Sequence, residues 1–176
     1  MKSNSELYLE QYKDIYDNKI ILDDKLATDN NLDSFYNEIK NCTKCSLSKS
    51  RTKFVFGVGN PNADIVIVGE APGKNEDLQG EPFVGRGGKL LDKILEAINL
   101  NRKKVFILNV LKCRPPENRD PKPQEILECE PYLKKQLQLI NPKLIVALGR
   151  ISAMTLLKSK DSLTNMRNKI HKYENI

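Results

Sequence analysis

The sequence predicts an α/β protein of three layers, α/β/α, around a mainly parallel central sheet. Three observations carry this. "DIVIVGE", "VFILNV" and "KLIVALG" are short apolar runs rich in β-branched residues, the pattern of strands buried on both faces. The segments that follow them are longer and show apolar residues at helical spacing. From Asp64 onward strand and helix alternate, and strands joined by helices run parallel.

Taken in order, residues 1–30 are rich in Asp, Asn and Lys and read as a loose polar leader with one helix near Glu6–Tyr16. Residues 31–176 read as the folded domain. "LDSFYNEIKNC" is a short helix that runs into Cys42. After the first strand, "GGKLLDKILEAINL" sets Leu90, Leu91, Ile94, Leu95 and Ile98 on one helical face. "VFILNV" is the second strand. "PQEILECEPYLKKQLQLI" is the next helix, with Ile126, Leu133, Leu137 and Ile140 at core spacing and Pro131 expected to kink or break it near Cys129. "KLIVALG" is the third strand and "RISAMTLL" opens a third helix. Parallel sheets place ligands at the carboxyl ends of their strands. Those ends carry "GEAPGKNED", "NVLKCRPPENRDP" and "LGR".

A chain of 176 residues suits one domain with a substantial core. It has no apolar run long enough for a membrane-spanning helix. The first residues lack the apolar centre of a secretory signal, so a cytoplasmic protein is expected, in which cysteines are ligands or free thiols more often than disulfides. The net charge of +6 is uneven: residues 1–40 hold 5 Lys/Arg against 9 Asp/Glu, and the remainder 24 against 14. A basic body fits a polyanionic partner, nucleic acid above all, although a lysine-rich solvated surface gives the same count.

The stretch "NCTKCSLSKSRT" holds Cys42 and Cys45, and the other two of the four cysteines are Cys113 and Cys129. The pattern is C-x2-C, a long gap, then C-x15-C. A zinc ribbon uses two close C-x-x-C knuckles, and a ferredoxin places three ligands together; this chain does neither. Four thiolates suit zinc or a 4Fe-4S cluster, and the spacing leaves both open with a lean to the cluster. Four unrelated buried cysteines are the bland alternative.

"GEAPGKNED", "GEPFVGRGGKLLD", "NVLKCRPPENRDP", "CEPYL" and "LIVALG", in this order and with these cysteines between them, resemble the family 4, iron–sulfur type uracil-DNA glycosylases. The resemblance runs from about Asn41 to Gly149. It implies a uracil-DNA glycosylase fold, a hydrolase that flips uracil out of single- or double-stranded DNA and starts base excision repair, and a monomer that needs no membrane. It also implies that Cys42, Cys45, Cys113 and Cys129 ligate a 4Fe-4S cluster with a structural task. The family continues into a last strand, a helix and a His-Pro motif that supplies a histidine. Here the sole histidine, His171, precedes Lys172, so a C-terminally truncated chain is expected and His171 is read as a solvated loop residue.

Excision requires a pocket for the flipped base, stabilisation of an oxocarbenium-like sugar and of the uracil anion, and a placed water. Asn109 ends the second strand. Its carboxamide presents an acceptor and donors side by side, matching N3–H and O4 of uracil, and the resemblance assigns it this role; without the motif, an asparagine ending a strand through an Asx turn is the plainer reading. The resemblance places Phe83 where an aromatic stacks on the base. Ala71 stands in the tight loop whose amides face uracil O2, at a position where some other glycosylase families carry a water-activating Asp. Asn118 is the candidate to orient water, Glu70 to support the developing cation, and Glu76 to crowd the base at C5 against thymine. Lys112, Arg114 and Arg119 are expected to meet phosphates, as is Arg86 at a helix start. A non-catalytic iron–sulfur or zinc module that binds nucleic acid is the competing hypothesis, and base release separates the two.

Overall fold

Pairing among the apolar runs sets the order of strands in the sheet. In the computed structural model, which describes residues 31–159, 161–174 and 176, the first long run becomes β2 (Ile65–Gly69), the second β3 (Phe106–Asn109) and the third β4 (Leu144–Ala147). β2 pairs in parallel with both neighbours, aligning Gly69 with Asn109 and Val68 with Ala147. The added strand β1 (Val58–Gly59) pairs antiparallel with β3, making the sheet mixed but mostly parallel. The leader and the helix expected near Glu6–Tyr16 lie outside the described residues.

Alternation along the strands sorts the core onto two faces. Val66, Val68, Phe106 and Leu108 face one layer, which holds helices α1 (Leu32–Ile39), α4 (Pro123–Ile140) and α5 (Arg150–Leu157). Ile67 and Ile107 face the other, where Leu91 and Leu95 of α3 (Arg86–Ala97) pack. This is the expected three-layer arrangement. Two shorter helices complete it, α2 (Lys74–Gln79) and α6 (Leu163–Met166).

Two expectations need correction. α4 runs unbroken through Pro131. Pro131 lies on the exposed side, and Leu127, whose carbonyl loses its intrahelical donor, is itself exposed, so water can satisfy that group. On α3 only Leu91 and Leu95 of the five expected residues are buried, while Leu90, Ile94 and Ile98 are exposed: the helix turns one narrow stripe to the sheet. No described helix is long and apolar enough to cross a membrane.

Candidate active site

At the carboxyl ends of β2 and β3 the chain leaves a cleft of about 520 Å³. Glu70, Ala71, Glu76, Phe83, Arg86, Asn109 and Asn118 all line it, together with Leu148 after β4. Residues from Glu70 to Leu148 meet here because parallel pairing brings Gly69 beside Asn109 and Val68 beside Ala147. Asn109 is buried, and its Oδ1 lies over Gly69: a Cβ on Gly69 would stand 2.4 Å from it and 2.5 Å from Phe83 Cζ. Only a glycine lets the carboxamide and the ring come this close to the end of β2.

The rest of the cleft is held by polar anchors. Glu76 Oε1 accepts the N–H groups of Val84 and Gly85 at 3.0 and 2.8 Å. Glu76 thus anchors the loop that carries Phe83, a task its expected part in excluding thymine did not foresee. Arg114 Nε donates to Asn118 Oδ1 at 2.8 Å, fixing that carboxamide in a loop where Glu117 and Asn118 both adopt positive φ. Burial raises the Glu70 carboxyl above its ordinary range; Asp120 adds to this and Arg150 opposes it.

The expected phosphate contacts divide. Arg86 is exposed at the start of α3, beside the cleft. Arg114 is half-buried and turned to Asn118. Arg119 is paired with Glu125 through two hydrogen bonds, 2.9 and 2.6 Å, which hold the Glu125 carboxyl below its usual range. Lys112 is a correction: it is 0 % exposed, and its Nζ donates to the carbonyl of Asn109 at 2.7 Å, so it cannot reach a phosphate. Its place on the inward side of the strand-end turn was not visible in a run of basic residues. His171 is exposed, its Nε2 donates to Met166 O at 3.0 Å, and it belongs to the groove beside β4, not to the cleft.

The four cysteines line one separate small cavity with Lys44, Arg51 and Tyr132. Among the described residues no group of three His, Cys, Asp or Glu is placed to hold a single metal ion. The donor set nevertheless fits a thiolate-held cluster. The hydrogen bonds to these sulfurs all have sulfur as the acceptor: Lys44 N–H and Tyr132 O–H donate to Cys42 (3.5 and 3.2 Å), Arg51 to Cys113 (3.3 Å) and Lys112 N–H to Cys129 (3.3 Å). Burial pushes the Cys129 thiol up to about 12 and raises Cys113, while it pulls the enclosed Lys112 ammonium down to about 8. The titratable groups that favour the charged form of Lys112 are Cys129 and Cys113. A buried ammonium is costly without a counter-charge, and bound thiolates would supply one. Sequence reasoning found the four cysteines but missed Arg51 and Tyr132, whose part depends on packing.

Residues 56–175 match the sequence profile of the uracil DNA glycosylase superfamily. The chain is 50% identical over 147 residues to the type-4 uracil-DNA glycosylase of Archaeoglobus fulgidus, covering 81% of this chain and 74% of that protein. It is 47% identical over 146 residues to that of Saccharolobus solfataricus, covering 80% and 68%. It is 48% identical over 143 residues to that of Sulfurisphaera tokodaii, covering 78% of this chain and 65% of that protein, just under two thirds of its length. Matches of this identity and extent, over the segments that build the cleft, show that the chain belongs to the type-4 uracil-DNA glycosylases.

Proposed function

We propose that residues 31–176 form a uracil-DNA glycosylase domain that takes uracil out of DNA and hydrolyses its N-glycosidic bond, with residues 1–30 as a polar leader. The observation that carries this is the cleft, in which Asn109, Phe83, Glu70 and Asn118 face a single space at the strand ends. In this reading Asn109 accepts N3–H and donates to O4, and the Phe83 ring stacks on the base. The amides of the loop at Ala71 face O2, where charge gathers as the bond breaks. Glu70 faces the sugar as it becomes cationic. Asn118, oriented by Arg114, holds the water. Arg86 meets a phosphate at the start of α3.

Cys42, Cys45, Cys113 and Cys129 would hold a 4Fe-4S cluster that ties the segment before β1 to the loop after β3. It would supply structure, and no step of base release runs through it. Uracil-containing DNA, single- or double-stranded, is the partner, the cytoplasm the setting, and one chain carries the cleft without help from a second.

The test is single-turnover release of uracil from a uracil-containing duplex by the parent and by Asn109→Asp. The variant loses the donor to O4 and sets a charge beside it. An unpaired buried polar group costs about 1–3 kcal/mol, so a loss of at least about tenfold is expected. Release at the parent rate would remove Asn109 from the pocket, and no release by the parent would favour a module that only binds nucleic acid.

A further inference from the structure

Phe83 has a φ of 55°, in the left-handed region that bulky residues avoid. Such a conformation persists only where its surroundings over-determine it. Four of them can be named. Glu76 receives the N–H groups of Val84 and Gly85. Gly88 leaves room beneath, since a Cβ there would stand 1.6 Å from the Phe83 carbonyl oxygen. Gly69 leaves room for the ring. The fourth is Arg102, which no reading of the cleft includes because it does not line it. Its Nη1 donates to Pro82 O at 3.1 Å and its Nη2 to Phe83 O, while Asp92 Oδ1 receives its Nε at 2.6 Å.

We propose that Arg102 is a positioning residue for base recognition: its guanidinium clamps the Pro82 and Phe83 carbonyls and so holds the Phe83 ring at the height of the flipped base. The inference rests on reading the cleft as a uracil pocket. A planar fork with five N–H donors can serve two successive carbonyls and a carboxylate at once, which an ammonium on a flexible stem cannot do in one fixed geometry. A loop locked this way before the base arrives spends no stacking energy on ordering itself. Asp92 lies on α3, so the helix that starts at the cleft also aims the clamp.

The experiment is a double-variant cycle on the full chain, read at a temperature where every variant is folded. Arg102→Met should lower single-turnover excision by about tenfold, the scale of one lost stacking contact. Arg102→Lys should recover part of it. In a Phe83→Ala background, Arg102→Met should have no further effect, because the ring it positions is gone. Losses that multiply in the double variant, or excision by Arg102→Met at the parent rate, overturn the proposal. The chain contains no tryptophan. Phe83→Trp therefore gives a reporter that needs no activity, and adding Arg102→Met or Arg102→Lys should shift its emission and open it to acrylamide quenching, more for Met than for Lys. Unchanged emission and quenching overturn the proposal. A shifted emission in a protein that never excises uracil would uphold the clamp and sink the functional reading instead.

Discussion

Gly69→Ala puts a single methyl into the most crowded point of the cleft. Gly69 does not have a positive φ, so alanine meets no backbone strain and the effect is one of contact alone. The new Cβ would lie 2.4 Å from Asn109 Oδ1 and 2.5 and 2.7 Å from Phe83 Cζ and Cε2. Ordinary contact begins near 3.4 Å, so the uracil reader and the stacking ring must each retreat by about 1 Å. Neither can do so freely: Asn109 is buried, and Phe83 is held by Glu76 and Arg102. Overpacking of this kind costs about 1–3 kcal/mol of stability, or about 2–4 °C in melting temperature for each kcal/mol. A 1 Å displacement of positioning groups can cost about 10²-fold in rate. Single-turnover excision should therefore fall far more than the melting temperature implies. Gly87→Ala is the matched control. Nothing lies within 4 Å of its Cβ, and within a helix alanine is favoured over glycine by up to about 1 kcal/mol, so stability should hold or rise. If Gly69→Ala excises uracil at the parent rate, Asn109 and Phe83 do not jointly grip the base.

Other expectations follow from individual groups. Burial raises Glu70, so the folded state binds its proton more tightly than the unfolded chain and ionised Glu70 costs stability above its ordinary value of 4.5. Glu70→Gln should stabilise the protein at neutral pH in thermal melts and lower excision, and in the parent the acid limb of the excision profile should lie above 4.5; a limb at or below that value would belong to another group. Glu125 behaves oppositely. Arg119 depresses it, so its contribution is present above 4.5 and lost as pH falls through the folded value. Melts of Glu125→Gln should lie below the parent at pH 7 and converge with it in strong acid, and equal melts at pH 7 would show the pair to be inert. Lys112→Met removes the enclosed ammonium that faces Cys113 and Cys129 and holds the Asn109 carbonyl. Iron content after anaerobic purification and excision should both fall, and parent-like values would leave Lys112 a space-filler.

Much of this architecture was legible because period and composition report burial directly. The three β-branched runs became the three parallel strands, and alternation within them sorted the two core faces. The cysteines were legible from their spacing, and the cleft residues from motifs that resemble a known family and sit largely in loops at strand ends. What stayed hidden depends on where a side chain points. Lys112 reads like its basic neighbours Arg114 and Arg119, yet the strand-end turn aims it inward to the Asn109 carbonyl. Arg102 sits in "NRKK", a stretch that looks like solvated surface, and only packing brings it to Phe83. β1 spans two residues, too few for any period, and α2 spans six, opened by a glycine with no side-chain cap. The Pro131 expectation failed because propensity says nothing of which side of a helix faces water.

The most direct test of the account is release of free uracil by the purified full chain. Matched duplexes should carry uracil, thymine or cytosine at one position, with iron content and melting temperature read on the same sample. Release is expected from the uracil duplex and none detectable from the other two, because only uracil offers N3–H and O4 without a 5-methyl to the space between Asn109 and Phe83. Folded, iron-loaded protein that binds the three duplexes alike and releases no base would contradict it.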